Sequence, residues 1–322
     1  MPLSLAFATY DDALDALCVA SVNKHFDAFE DIAWDDPDLA IDPADPRWKL
    51  PTVDPLARHP WYLALPEEEQ IRIGLLRQAN TCKIGTHFET ALMRGLLQYV
   101  VTLPNGSREF RYCMHEVTEE TNHTQMFQEF VNRAGVDVPG AAWWFRLATQ
   151  FVPVMMWVAP EIFFLMVLLG EEPLDHVQKD ILRGGEEIHP LLQRIMQIHV
   201  AEEARHISFA HEFLAERMQS MGLLRRTSLT VAFPVLAKAM GIVVGTPSAS
   251  FAKQAGIPRH VLRELYAHDE LAETTMNDMF ADVRYFADKV GVRNRLTRPL
   301  WKVLGVDGRD SRHRGEPTRP RR

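Results

Sequence analysis

The stretch HVAEEARHISFA, residues 199–210, sets acids and imidazoles on the apolar side of a helical pattern. Leu192, Met196, His199, Glu203, His206, Ala210 and Phe213 recur at steps of three and four, so a single stripe holds them all. An unpaired carboxylate inside a core costs roughly several kcal/mol, on the order of a domain's net stability, so the fold must compensate it. A lone Glu and His at this spacing is ordinarily a surface pair. Here the arrangement recurs: EETNH at 119–123 places Glu120 and His123 on a stripe continued by Phe127 and Phe130. Two Glu-x-x-His units on separate helices point to a carboxylate-bridged pair of metal ions inside a four-helix bundle, to which each remaining helix adds one Glu.

The rest of the chain suits that frame. Helical periodicity covers about 81–102, 108–134, 141–183 with breaks at its prolines, 190–220, 224–243 and 258–290, with almost no strand-like alternation. LPNGS at 103–107, AGVDVPG at 134–140 and GGEEIHP at 184–190 supply turns. LPEEEQIRIGLL, from Leu65, places Pro and three acids at a helix start. The expected fold is all-α: a ferritin-like four-helix bundle core with additional helices and an irregular N-terminal segment. Residues 1–65 are read as one helix and a Pro/Asp-rich wrapping coil of the same domain, 66–300 as the helical bundle, and 301–322 as a basic, disordered tail with six arginines from Arg309 onward.

Depth in the bundle selects the two missing glutamates. In antiparallel helices joined by a short loop, residues equally far from the loop lie at equal depth. Across LPNGS, Glu89 matches Glu120; across GGEEIHP, Glu172 matches Glu203, with its neighbour Glu171 as the alternative. Glu161 would miss by about 14 Å at 1.5 Å per residue and is read as a capping or supporting group. His199 lies one turn before Glu203 and is either a third imidazole ligand or a supporting core histidine. Four carboxylates and three neutral imidazoles balance two divalent ions, and this mostly hard donor set suits Fe, Mn or a mixed pair better than zinc.

The net charge of −8 argues against nucleic acid as the main partner. Only three cysteines occur, Cys18, Cys82 and Cys113, with no CxxC spacing, which fits a cytoplasmic protein. Leu147–Gly170 and Leu229–Phe251 are apolar enough to raise the question of a membrane. Prolines and Glu161 interrupt the first and Lys238 the second, so Leu147–Gly170 is expected as a fully buried core helix and no stable membrane insertion is expected.

HVAEEARHISFAHEFL, with EVTEETNHTQMFQEFV upstream, resembles the p-aminobenzoate N-oxygenase (AurF-like) family of non-haem di-iron oxygenases over roughly residues 30–300. The His-x3-Glu-x2-His run at His199, Glu203 and His206 is its most specific part. The resemblance implies that Glu89, Glu120, His123, Glu172, His199, Glu203 and His206 hold two iron ions. It also implies a homodimer and an O2-driven oxidation of an aromatic amine nitrogen, through hydroxylamine towards nitroso or nitro. No nucleotide-binding fingerprint is present, so electrons are expected from an external donor. Two alternatives remain open at this point: a di-iron hydroxylase or desaturase of a lipid-like or other apolar compound, and a ferroxidase or iron-binding protein.

Overall fold

The computed structural model describes residues 7–185, 187–267 and 278–308, and every regular element among them is helical. Four long helices form the core: α3 (Glu67–Val100), α4 (Arg108–Ala134), α7 (Pro160–Arg183) and α8 (Pro190–Ser220). Around them lie α1 (Tyr10–Asn23), α2 (Pro60–Leu63), α5 (Trp143–Ala148), α6 (Val152–Val158), α9 (Leu223–Gly245), α10 (Ala249–Ala255), α11 (Arg259–Ala267), α12 (Ala281–Lys289) and α13 (Arg298–Val303). α3 packs along α4 and α7 along α8, while α4 against α8 and α3 against α7 close the bundle. This is the expected ferritin-like architecture.

Local chemistry accounts for the long elements. Glu67, Glu68 and Glu69 occupy the first turn of α3, where the helix dipole favours acids. The helix then runs unbroken for 34 residues, joining the start near Pro66 to the pattern expected at 81–102. α4 ends at Gly135 with φ of 66°, the left-handed conformation that a residue without Cβ adopts freely. α8 begins at Pro190, and the ring of His189 accepts the Leu191 amide.

The N-terminal coil packs by a repeated device. Asp36, Asp45 and Asp54 each precede a proline and accept a backbone N–H two residues on, starting a 3-10 turn. Trp48, Leu50 and Tyr62 are buried beneath the coil. The Tyr62 hydroxyl accepts the Leu50 amide and donates to the Gln70 carbonyl, which ties the coil to α3. At Gly74 the Trp48 carbonyl comes so close that an added Cβ would stand 1.8 Å from its oxygen.

The apolar core is split in two. One half gathers Leu92, Leu96, Phe164, Leu168, Phe209 and Phe213 at one end of the bundle. The other gathers Ile71, Leu75, Phe127, Phe130, Leu192 and Ile195 at the opposite end, under the N-terminal coil. Every residue singled out as a candidate ligand lies in the layer between them.

Three expectations need correction or restriction. Leu147–Gly170 is not one buried helix: Ala159 and Pro160 break it, and of the first part only Met156 is fully in the core while the second part is mostly buried. Trp143, Trp157, Phe151 and Val154 in the first part are exposed, the two tryptophans by 71% and 70%. Residues 301–308, placed with the tail, are packed: Trp301 is fully buried and Arg293 Nη2 bonds Asp307 Oδ1 at 2.8 Å. The arginine-rich remainder lies outside the described residues. Leu223–Ala255 is the one described stretch long and apolar enough to cross a membrane, with 33% of its most apolar window buried. Residues 246–248 interrupt it between α9 and α10.

Candidate metal centre

α4 and α8 each present the same five-residue unit, Glu-Glu-x-x-His, to the bundle axis. On α4 it is Glu119, Glu120 and His123; on α8 it is Glu202, Glu203 and His206, and all six are buried. His206 Nδ1 stands 2.8 Å from Glu120 Oε1 and 3.5 Å from Glu203 Oε1. His123 Nδ1 stands 3.1 Å from Glu120 Oε2 and 3.5 Å from Glu203 Oε1. The outer nitrogens are held crosswise: His206 Nε2 donates to Glu119 Oε2 at 2.8 Å, and His123 Nε2 donates to Glu202 Oε2 at 2.9 Å. Each ring is thereby fixed with Nδ1 facing inward. Arg205 reaches both outer acids, at 2.9 Å from Glu119 and 3.4 Å from Glu202, and the Phe26 amide adds a bond of 3.2 Å to Glu202.

The remaining members come from α3, α7 and the turn before Glu203. His199 Nδ1 lies 3.0 Å from Gln178 Oε1, so that nitrogen donates and Nε2 is left as the inward lone pair, 3.3 Å from Glu203 and 3.6 Å from Glu89. The Glu89 carboxyl also bonds Glu120. On α7 the inward acid is Glu171, not the expected Glu172. One residue rotates a helix by about 100°, and Glu172 turns away to face His211 Nε2 at 3.4 Å. Glu161 lies outside the group, paired with Arg225.

The donors converge on two positions. His123, His199 and Glu203 bring one atom each to within 4.8 Å of one another, and so do Glu120, Glu171, Glu203 and His206. Glu203 belongs to both sets, as a bridging carboxylate would. The fit to a pair of cations is tested by what the protein leaves unsatisfied: both oxygens of Glu171, both of Glu203 and Nε2 of His199 are buried without a hydrogen-bond partner. Such groups are costly in a protein interior unless something else compensates them. Two divalent ions would do so, and a set of carboxylates and imidazoles without thiolate suits a di-metal site of hard to intermediate preference.

Protonation in the bare protein tells the same story. Burial, then the neighbouring acids Glu120 and Glu203, hold the carboxyls of Glu89 and Glu171 well above the usual range. Burial likewise lifts Glu116, one turn before Glu120, to about 8. Burial opposes charge on His123 too, but Glu120, Glu202 and Glu203 outweigh it and raise the ring to about 10. Burial lowers His199 to about 4, which leaves it neutral and able to ligate. Protons thus partly neutralise an acid cluster that cations would neutralise better.

Glu89, Glu120, His123, His199, Glu203 and His206 lie together in the buried layer, and of the two α7 acids that the sequence left as alternatives Glu171 lies with them while Glu172 faces His211. Sequence reasoning did not identify Glu119, Glu202, Arg205 and Gln178. The signal for the first two was present, because in both units a second glutamate directly precedes the inward one.

Comparison with known proteins agrees. The family described as P-aminobenzoate N-oxygenase AurF matches residues 8–291. Uncharacterized proteins of Mycobacterium tuberculosis (strain ATCC 25618 / H37Rv) and Mycobacterium bovis (strain ATCC BAA-935 / AF2122/97) are each 46% identical over 312 residues, 97% of this chain and 92% of theirs. With a match over most of its length and two His/Glu clusters at the centre of its bundle, the chain belongs to the AurF family of non-haem di-iron oxygenases.

Proposed function

We propose that the protein N-oxygenates an aromatic amine, with two iron ions held by Glu89, Glu120, His123, Glu171, His199, Glu203 and His206. The observation that supports this most directly is Glu203 standing in both donor sets, among five other buried carboxylate and imidazole donors. When bound, the iron pair supplies O2 activation and redox capacity. The polypeptide does the rest. Glu119 and Glu202 orient the two imidazoles, Gln178 sets the tautomer of His199, and the apolar halves on either side exclude water from the reacting layer.

Conversion of an amine to a hydroxylamine with one O2 consumes two electrons and two protons and releases one water. Those electrons come from a separate reductant, a protein or a small molecule. Manganese in one or both positions is the competing metal assignment, since the donor set accepts either. A homodimer would cover the exposed apolar band formed by Trp143, Phe151, Val154 and Trp157; sedimentation of a Trp157→Glu variant reads this directly, a monomer being the expected result. The buried thiols of Cys18, Cys82 and Cys113, all free, support a cytoplasmic placement.

The test supplies ferrous-loaded protein with a reductant, 18O2 and a panel of arylamines beside fatty acyl compounds. Hydroxylamine, nitroso or nitro products carrying 18O are expected from the arylamines alone. Label appearing in a hydroxylated acyl chain would transfer the assignment to a C–H hydroxylase; O2 consumption with no organic product would make the protein a ferroxidase.

A further inference from the structure

We propose that the aromatic ring of the substrate sits in the notch that Gly170 leaves in α7 beside Glu171, a place that Phe88 fills in the resting protein and gives up as substrate arrives; the inference rests on the oxygenase reading above. Phe88 directly precedes Glu89 on α3, and Gly170 directly precedes Glu171 on α7. Neighbouring Cα atoms are about 3.8 Å apart, so both residues stand at the depth of the metal layer. An added Cβ at Gly170 would collide with Cζ of Phe88 and lie 2.7 and 2.8 Å from its Cε2 and Cε1 atoms. The tip of the ring thus occupies the space that a side chain at position 170 would take. Further along the seam the same device runs in reverse, where a Cβ at Gly95 of α3 would collide with the ring of Phe163 of α7.

The two rings differ in what lies behind them. Phe163 is buried in the core and meets Phe164 edge-on at 5.1 Å between centroids, so it has nowhere to go. Phe88 is only partly buried, and behind it stands Phe145 of the six-residue α5, parallel to within 5° at 6.4 Å between centroids. That ring gives Phe88 an aromatic face to move onto. On the same seam, a cavity of about 150 Å3 opens towards the N-terminal end of α3. Leu174, Val177 and Ile181 line it and continue the α7 stripe that begins at Gly170, while Gln78 and Thr81 line it from α3, on the stripe that leads to Phe88. Phe88 is therefore the partition between this cavity and the layer that holds Glu89 and Glu171. The notch fits a flat ring because a phenyl ring fills it now, and an arylamine that replaces Phe88 restores the contacts its departure removes. A flexible acyl chain would leave part of that space unfilled, at a loss of packing contacts.

The experiment titrates the metal-loaded full chain with aniline and measures affinity by calorimetry. A ligand that must displace Phe88 binds with an affinity reduced by the fraction of molecules in which the ring has moved out. Phe88→Ala removes that competitor and leaves a ring-sized space, so aniline should bind at least about tenfold more tightly than to the unaltered protein. Phe88→Ala combined with Gly170→Ala refills the notch with a methyl group that no longer has a ring to collide with, and alanine suits the interior of α7 better than glycine. This double variant should lose the gain. Unchanged or weaker aniline binding by Phe88→Ala, or a gain that survives in the double variant, would overturn the proposal. Should Phe88→Ala melt too low to titrate, Phe88→Leu, which keeps an apolar side chain but lacks the ring tip, is expected to gain in the same direction, and no gain there overturns the proposal equally. Metal content and 18O products from the same samples keep the two readings apart. A gain in Phe88→Ala with no labelled product from any variant retains the notch and loses the oxygenase reading; labelled arylamine products with no gain in Phe88→Ala do the reverse.

Discussion

Glu171 and Glu172 differ by one position in the chain and by about 100° around α7, and that rotation separates a group facing the metal layer from one facing His211. Counting residues from the α7–α8 turn resolves depth but not direction, so the sequence narrowed the choice to this pair and stopped there. Direction follows from packing: Gln178, two turns after Glu171 on the same face, meets His199. The expected outcome is that Glu171→Gln loses most of the bound metal by elemental analysis while Glu172→Gln retains it. Equal retention by both variants would remove Glu171 from the ligand set. Glu202→Ala, which leaves His123 without its outer partner, should weaken metal affinity by roughly 10- to 100-fold while leaving every inward donor in place; unaltered affinity in a metal titration would reduce Glu202 to a packing residue.

Among the elements, α4 and α8 were fully legible, since both their periodicity and their turns are strong: the expected spans 108–134 and 190–220 are the observed ones. The stretch before Pro160 was not. Its apolar composition suggests a core helix, yet composition cannot distinguish a face buried within one chain from a face left for something else to cover. The N-terminal coil was read as a surface wrap because prolines forbid long helices there, but its anchorage through Trp48 depends on a contact distant in sequence. Gly74 tests that anchorage. Alanine is the better helix former by about 1 kcal/mol, so Gly74→Ala would stabilise an isolated helix. Here the new methyl group would meet the Trp48 carbonyl, a backbone atom that cannot rotate away. Net destabilisation of about 1–3 kcal/mol is expected in urea unfolding, and a neutral or stabilising effect would show that the coil is free to move off α3.

For the whole molecule, a layer of acids between two apolar halves makes stability depend on what neutralises that layer. In the metal-free protein Glu116 titrates at about 8 instead of 4.5, and His123 at about 10 instead of 6.5. Both values are raised, so between pH 6.5 and 8 the folded form binds more protons than the unfolded chain, and its stability falls as pH rises. His199 and His87, both lowered from 6.5 to about 4, act in the opposite sense, mostly below this window and within it by less than either raised group. The melting temperature of chelated protein should therefore drop by about 4 °C or more from pH 6.5 to 8. Metal-loaded protein should melt higher at every pH in that range, because binding to the folded state alone adds to its stability. A flat or rising profile without metal would contradict the buried acid layer. The crosswise hold of Glu119 on His206 and of Glu202 on His123 has a further consequence for loading. Filling either position stiffens a helix that also grips the opposite ring, so the second cation arrives at a half already arranged for it. Titration should then pass from empty to doubly filled chains with few singly occupied ones between.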